Sequence, residues 1–360
     1  MKRLAPLRVL VVSPRRRWYQ ALAEALRHLP ALRVLPQADT FETLRRLILS
    51  HHPDAIVLDL AWPADQLERL LDDLHEHYPV PLIACGDGRR DGPRAMLALG
   101  HGALEVITPP RRLLLTRWKR FAAELAARLR QAVACARPPQ PPLPAPPDGV
   151  AWSFRRAGLD PRRCLIVIGA STGGPEALKE LMAHMPADAP ACVVVQHMPA
   201  MFTPSFAASL DRAGPLGFAE ARDGQPLRPQ MGVVARGDTH LEIRRYAQGG
   251  WYVKYTHQVK VNRHCPSVDV LFDSAVAACG AAAIGILLTG MGDDGARGLL
   301  RLRRAGALTA AQDAQSCVVF GMPRVAQELG AADIVAPPAE IPARIVQMLQ
   351  HRRPSPALIT

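Results

Sequence analysis

The sequence predicts an α/β protein built from two doubly wound, parallel-sheet domains. Three observations carry that expectation. The chain has 360 residues, and at roughly 100–200 residues per domain that is enough for two. Seven of the ten residues 138–147 are proline. Proline fixes φ and lacks an N–H, so this stretch neither continues a helix nor joins a sheet interior; it reads as an extended, semi-rigid spacer. On either side, short apolar runs alternate with amphipathic stretches, the pattern of parallel strands covered by helices. The expected division is a first domain over 1–133, a proline-rich linker over 134–160 and a second domain over 161–352.

In the first domain, strand-like runs lie at 8–12, 33–35, 55–58, 82–84 and 104–107, with amphipathic stretches such as 19–29 and 42–49 between them. Five such βα units imply a parallel sheet with helices on both faces. Residues 113–133 read as a last helix running into the linker. In the second domain, apolar runs at 165–168, 192–195, 232–235, 284–288 and 334–335 read as buried strands. Leu241 and Ile243, then Trp251, Val253 and Tyr255, alternate about Gly249-Gly250 and read as a β-hairpin. The second domain is therefore expected as a larger three-layer α/β/α unit with a hairpin, long enough to bury a substantial core.

Composition narrows the function classes. Hydrophobic residues make up 49% and charged residues 21%, ordinary globular usage that excludes wholesale disorder. No run of 18 apolar residues occurs, so no transmembrane helix or direct membrane insertion is expected. The apolar run at 9–12 is too short for a signal peptide and meets Arg15-Arg16-Arg17, which places the chain in the cytoplasm. The seven cysteines are scattered, with no CxxC, so neither a disulfide framework nor a metal site is indicated. The net charge of +12 is spread along the chain with no nucleic-acid motif beside it. It reads as a solvated, arginine-rich surface that favours acidic protein partners, with no nucleic-acid role.

The segment 164–178 is the most informative. An apolar strand runs into the small-residue turn Gly169-Ala-Ser-Thr-Gly-Gly174 and then into a helix, with Pro175 suited to its first turn. Ser171 thus sits at a strand end near a helix N-terminus, where unpaired N–H groups can hold a developing oxyanion. A hydroxyl there becomes a nucleophile if a base lies nearby. Taken alone, such a serine is more often an N-cap. The turn could also cradle a dinucleotide phosphate, although its spacing is not GxGxxG. Two further runs favour catalysis. Residues 191–199 end a strand with His197, and residues 284–295 end a strand with Asp293-Asp294 in a glycine-rich turn. A lone loop histidine or a turn aspartate pair is unremarkable. Sites in open parallel sheets, however, form beyond the carboxyl ends of the strands, so serine, imidazole and carboxylate emerge on one rim. A carboxylate would orient the imidazole, which would take the serine proton. The chain order and the absence of GxSxG speak against an α/β-hydrolase, but not against this chemistry.

These residues also resemble a known family, the bacterial chemotaxis receptor-glutamate methylesterases. The matching segments are Gly169-Ala-Ser-Thr-Gly-Gly174, Gln196-His-Met-Pro199 with Phe202-Thr-Pro-Ser-Phe206, Gly237-Asp-Thr-His240, Pro266-Ser-Val-Asp-Val-Leu-Phe272, Leu288-Thr-Gly-Met-Gly-Asp-Asp-Gly295 and Gly321-Met-Pro323. They follow the family's order over roughly residues 163–350, and the layout of receiver, linker and esterase resembles the family as well. The resemblance implies Ser171 as nucleophile, His197 as general base and then acid, and Asp294 as the orienting carboxylate, with no catalytic role for Asp293. It implies the backbone N–H groups of Thr172 and Met291 as oxyanion donors, and a mechanism without metal or cofactor. The implied substrate is a γ-glutamyl methyl ester on the cytoplasmic helices of a methyl-accepting chemoreceptor, with receptor glutamine deamidation as a second activity. His240, His257 and His264 are expected in structural or rim roles, and residues 262–266 at the border of the substrate groove. The default oligomeric state is a monomer.

The first domain resembles a response-regulator receiver whose phosphorylation chemistry is gone. Asp59 ends the third strand, the place of the phosphoacceptor. A receiver also binds Mg²⁺ through acidic residues at the end of strand one, and Mg²⁺ demands hard oxygen ligands. That place here reads Ser13-Pro14-Arg15. The lysine expected after strand five is replaced by Pro109, and the hydroxyl residue expected after strand four is replaced around Cys85-Gly86. The expectation is a pseudo-receiver in which Asp59 is non-functional and the fold serves docking, on the esterase domain or on a signalling partner such as the chemosensory kinase. Two other functions stay open at this point: a catalytically idle signalling scaffold, and a nucleotide-dependent oxidoreductase using the glycine-rich turn.

Overall fold

The structure is a computed structural model that describes residues 6–29, 31–78, 80–86, 91–110, 115–135 and 152–351. Residues 136–151, most of the proline-rich linker, lie outside the described residues. The chain divides into two compact units, 1–139 and 140–360.

The first unit alternates strand and helix: β1 (Leu7–Val12), α1 (Arg16–Arg27), β2 (Leu32–Val34), α2 (Phe41–His51), β3 (Ala55–Asp59), α3 (Ala64–His77), β4 (Leu82–Cys85), α4 (Gly92–Gly100), β5 (Glu105–Ile107) and α5 (Leu115–Cys135). Its five strands pair in the order β2-β1-β3-β4-β5, all parallel. Residues 9–12 of β1 and all of β3 and β4 are buried because helices cover both faces. α1 and α5 share one face, where Trp18 meets Trp118 edge-on at 6.4 Å. In this order the chain reverses direction of build between β1 and β3, the place where a doubly wound sheet opens a crevice. Ser13 follows β1 and Asp59 ends β3, so both lie at that point.

The second unit runs β6 (Leu165–Ala170), α6 (Gly174–Ala183), β7 (Ala191–Gln196), α7 (Thr203–Asp211), β8 (Gly217–Glu220), β9 (Pro226–Leu227), β10 (Met231–Val234), β11 (Leu241–Arg245), β12 (Trp251–Tyr255), α8 (Val268–Cys279), β13 (Ala283–Leu287), α9 (Ala296–Arg304), β14 (Leu308–Gln312), α10 (Met322–Glu328), β15 (Ile334–Ala336) and α11 (Ile341–His351). Seven strands form a parallel sheet in the order β15-β14-β13-β6-β7-β10-β8. β11 and β12 form the expected hairpin, with β9 added antiparallel to β12. Every residue of β6, β7, β13 and β14 is buried. α8 packs Leu271 and Phe272 into the core beside Val167, Val193 and Leu299, each such side chain contributing about 1.5–3 kcal/mol by leaving water. The end of the stretch expected as linker is packed on this unit. Phe154 is fully buried, and Asp188 accepts hydrogen bonds from Ser153 Oγ and from the N–H groups of Phe154 and Arg155.

β6 lies at the centre of the second sheet. From it the chain builds outward through β7 and β10 on one side and through β13, β14 and β15 on the other. The crevice of this sheet therefore opens beyond the ends of β6, β7 and β13, where Ser171, His197 and the 288–295 turn begin.

Candidate active site

Ser171 directly follows β6, and its N–H donates to Thr289 O at 3.0 Å. The chain then turns through Gly173, whose φ of 77° favours glycine, and enters α6 with Pro175 in its first turn. His197 directly follows β7, and its N–H donates to Ala170 O at 3.1 Å. Ala170 pairs with Gln196 in register, so Ser171 and His197 are the next residues on neighbouring strands and leave the sheet at the same level. Gln196, 2% exposed, ties the two loops together. Its Nε2 donates to Ser171 O at 2.8 Å and to His197 O at 3.2 Å. This requires glycine at 174, because a Cβ there would stand 2.0 Å from Gln196 Oε1. The glycine-rich turn is thus filled by protein, with Val318 against Gly173. A dinucleotide cradle needs that close approach left open, so the oxidoreductase reading loses its footing.

The imidazole of His197 donates from Nε2 to Asp294 Oδ2 at 2.9 Å. Its other nitrogen, Nδ1, is buried and has no hydrogen-bond partner among the described residues. Ser171 is 7% exposed and its hydroxyl makes no hydrogen bond to His197 among the described residues. The three expected side chains therefore share one rim, with His197 and Asp294 in contact and Ser171 adjacent to His197 in register.

Asp294 is 1% exposed and is heavily supplied with donors. Ser267 Oγ donates to its Oδ1 at 2.7 Å, Asn262 Nδ2 to Oδ1 at 2.9 Å and Val268 N to Oδ2 at 2.7 Å. Ser267 is the N-cap of α8, so the carboxylate sits at a helix N-terminus, where the dipole favours negative charge. Burial alone would raise its pKa. The hydrogen bond and charge of His197, with the bonds from Asn262 and Ser267, outweigh burial and hold the group well below the usual carboxylate range. Asp269 shows the opposite balance: burial pushes its pKa up despite bonds from Gly298 N and Asn262.

The turn from β13 is held from several sides. Thr289 Oγ1 donates to Thr172 O at 3.0 Å and accepts from Val319 N at 2.9 Å. Thr289 N donates to Gln312 Oε1 at 2.7 Å. The N–H groups of Thr172 and Met291, the expected oxyanion donors, bond to no other group among the described residues. Asp293 contributes only its carbonyl, to Ala296 N at 3.1 Å.

Of the remaining histidines, His240 is fully buried. It accepts from Ser267 N at 3.1 Å and bonds Val259 O at 2.8 Å through Nε2, a structural role as expected. The ring of His257 lies against it, tilted by 58° with centroids 4.7 Å apart. His264 lies parallel to His197, with ring centroids 3.8 Å apart and planes 4° apart, closer to the chemistry than the sequence suggests. The sequence alone does not single out Gln196, Asn262 and Ser267 within their motifs. Their signal is a polar residue at a position that must be buried, and it becomes visible only when the strand ends are known to meet.

The crevice of the first unit is built differently. Asp59 is fully buried. Arg15 forks onto it, Nε to Oδ2 at 2.8 Å and Nη2 to Oδ1 at 2.6 Å. Ser13 Oγ donates to Oδ2 at 2.6 Å, and Ala61 N to Oδ1 at 3.1 Å. Both carboxylate oxygens are occupied by protein donors, and a guanidinium stands where a divalent cation would need to sit. A cation needs oxygen ligands and avoids a fixed positive charge, so the residues here do not fit one. Among the described residues no group of three or more His, Cys, Asp or Glu side chains could hold a metal. No helix among them is long and apolar enough to cross a membrane.

Comparison with known proteins places this arrangement. Residues 166–345 match the family described as CheB methylesterase. The chain is 41% identical over 349 residues to protein-glutamate methylesterase/protein-glutamine glutaminase 2 of Pseudomonas aeruginosa, covering 96% of this chain and 98% of that protein. It is 41% identical over 356 residues to the corresponding enzyme 5 of Anaeromyxobacter dehalogenans, covering 95% and 97%. The crystal structure of the Thermotoga maritima CheB methylesterase catalytic domain superposes with a TM-score of 0.50 at 38% identity, covering 51% of this chain and 98% of that one.

Proposed function

The chain belongs to the CheB methylesterase family, and from that premise we propose that Ser171, His197 and Asp294 hydrolyse γ-glutamyl methyl esters on the cytoplasmic helices of a chemoreceptor. The chain is an enzyme, a protein-glutamate methylesterase/protein-glutamine glutaminase. The observation that carries the site assignment is the His197 imidazole, bonded through Nε2 to a buried, ionised Asp294 and left with an Nδ1 unpartnered among the described residues, on the residue that follows β7 level with Ser171 after β6.

In this reading Ser171 Oγ attacks the ester carbonyl and its proton passes to His197 Nδ1. Asp294 holds the ring in the tautomer that leaves Nδ1 bare, and its negative charge stabilises the imidazolium that forms. The N–H groups of Thr172 and Met291 receive the oxyanion. The C–OCH₃ bond breaks, methanol leaves with the proton from His197, and an acyl-enzyme remains. Water then gives a proton to His197 and attacks the acyl carbon, which releases glutamate and returns the proton to Ser171. The same attack on a glutamine side chain releases ammonia. Catalytic hydrogen bonds in ligand-free enzymes are commonly long and tighten with substrate, in keeping with a Ser171 hydroxyl that makes no hydrogen bond to His197 among the described residues.

The receiver-like unit has the fold of a phosphorylation switch without the means to run it, and acts by docking. The partners are the chemoreceptor and a chemosensory signalling protein such as the kinase, and the enzyme works as a monomer in the cytoplasm. The deciding experiment is methanol release from carboxyl-methylated receptor membranes. Ser171→Ala should lower kcat by about 10⁴-fold or more with receptor binding intact. A Ser171→Ala protein with normal turnover would overturn the assignment.

A further inference from the structure

The loop from 259 to 267 is a strap fastened at both ends and in the middle. His240 bonds Val259 O at one end and accepts from Ser267 N at the other. Between them Val261 and His264 exchange backbone hydrogen bonds at 3.0 and 2.9 Å. Asn262 and Arg263 make the turn with φ of 50° and 70°, the left-handed region that non-glycine residues adopt at a cost. Asn262 Nδ2 fastens the middle of the strap to Asp294 Oδ1 and Asp269 Oδ2. The product of this construction is one imidazole, His264, laid flat on the face of His197 at 3.8 Å.

We propose that His264 is a positioning residue for the esterase reaction: its ring fixes the plane of His197, and with it the direction of the bare nitrogen. The proposal rests on the assignment of Ser171 and His197 above. A single hydrogen bond to Asp294 sets the reach of the His197 ring but not its plane. Rotation about Cβ–Cγ would sweep the ring edge through the space that His264 fills. The stack therefore supplies the second constraint, one that Nδ1 does not supply here because it has no hydrogen-bond partner among the described residues. When His197 takes the serine proton, the new cation faces an aromatic surface, which attracts it.

The test compares three variants of the full chain on methylated receptor membranes. His264→Ala removes the stack. His264→Leu fills the volume without a flat aromatic face. His264→Phe restores the face without the imidazole nitrogens. The expected result is a kcat lower by about 10²-fold in the Ala and Leu variants, the scale of a misplaced catalytic group. KM should stay within about 2-fold, since His264 acts on the ring and not on bound substrate. The Phe variant should recover to within about 3-fold of the parent kcat. Thermal unfolding of Leu and Phe variants should coincide, so that the split between them reports positioning and not stability. Wild-type kcat in His264→Ala overturns the proposal, and so does equal loss in Leu and Phe, which would assign the role to the imidazole nitrogens. If Ser171→Ala retains activity on the same membranes, the underlying site assignment fails instead, and this proposal falls with it.

Discussion

Asp294 shows how a buried charge is kept. Its oxygens accept from Ser267 Oγ, Asn262 Nδ2, Val268 N and His197 Nε2, so removal from water is offset by charge-assisted hydrogen bonds. Its folded pKa lies below that of a free carboxylate, which fixes the sign of the pH dependence. Stabilisation by this group is full above the unfolded carboxylate pKa of about 3.9. It is lost as pH falls from there through the lower folded value. Asp294→Asn turns an acceptor toward those donors into an amide with its own N–H groups. It should cost about 2 kcal/mol at pH 7, with kcat falling by about 10⁴-fold because the imidazole loses its tautomer control. Urea unfolding at pH 7, 5 and 3.5 checks the first part: the gap between parent and variant should hold from pH 7 to 5 and narrow at 3.5. A gap that widens in acid would show that Asp294 is not ionised in the folded protein.

At the scale of elements, the site depends on how closely the turn after β13 passes the end of β6. A Cβ on Gly290 would stand 2.7 Å from Ser171 Cβ and 2.3 Å from Met322 Sδ. Met322 is flexible and can shift, but Ser171 is fixed by its own N–H to Thr289 O. Gly290→Ala should therefore destabilise by about 1–3 kcal/mol and also displace the nucleophile. Turnover should drop more than receptor binding does, and reaction of Ser171 with a serine-directed reagent should slow in parallel. Unchanged reagent kinetics would show that the turn absorbs the methyl group without moving Ser171. The elements that frame this contact are legible in the sequence, because β6, β7 and β13 are unbroken apolar runs and Gly249-Gly250 marks the hairpin. β14 is not legible. It is fully buried yet carries Thr309 and Gln312, which are polar because Asp333 bonds the first and Thr289 N the second. Its sequence pattern reports distant partners and not burial. The strap is hidden for the same reason. Asn262 and Ser267 bond an aspartate about thirty residues away, and no local periodicity encodes that meeting. Ser171 and His197 stand out because each directly follows an apolar strand, and Asp294 because it lies in the glycine-rich turn after one, signals that are local.

For the whole molecule, the two crevices are built in opposite ways. Both lie at the switch point of a parallel sheet. One leaves an imidazole nitrogen unpartnered among the described residues; the other closes every oxygen of its aspartate with Arg15, Ser13 and Ala61. In Asp59 the bidentate guanidinium neutralises the charge that a divalent cation and a phosphoryl group would otherwise use. The sequence exposes the missing acidic pair at Ser13-Pro14, but it does not reveal that Arg15 takes the cation's place, because the fork forms only when β1 and β3 are side by side. Incubation with acetyl phosphate and Mg²⁺ should leave Asp59 unlabelled, esterase turnover unchanged and the melting temperature of the full chain insensitive to Mg²⁺. Arg15→Ala should not restore labelling, since it supplies no cation ligand. It should lower stability by about 1–3 kcal/mol, the cost of leaving a buried carboxylate short of its partner, discounted because Arg15 is half exposed. Mg²⁺-dependent label on Asp59 in the parent protein, with a matching rise in turnover, would show that the fork opens and that the unit still works as a phosphorylation switch.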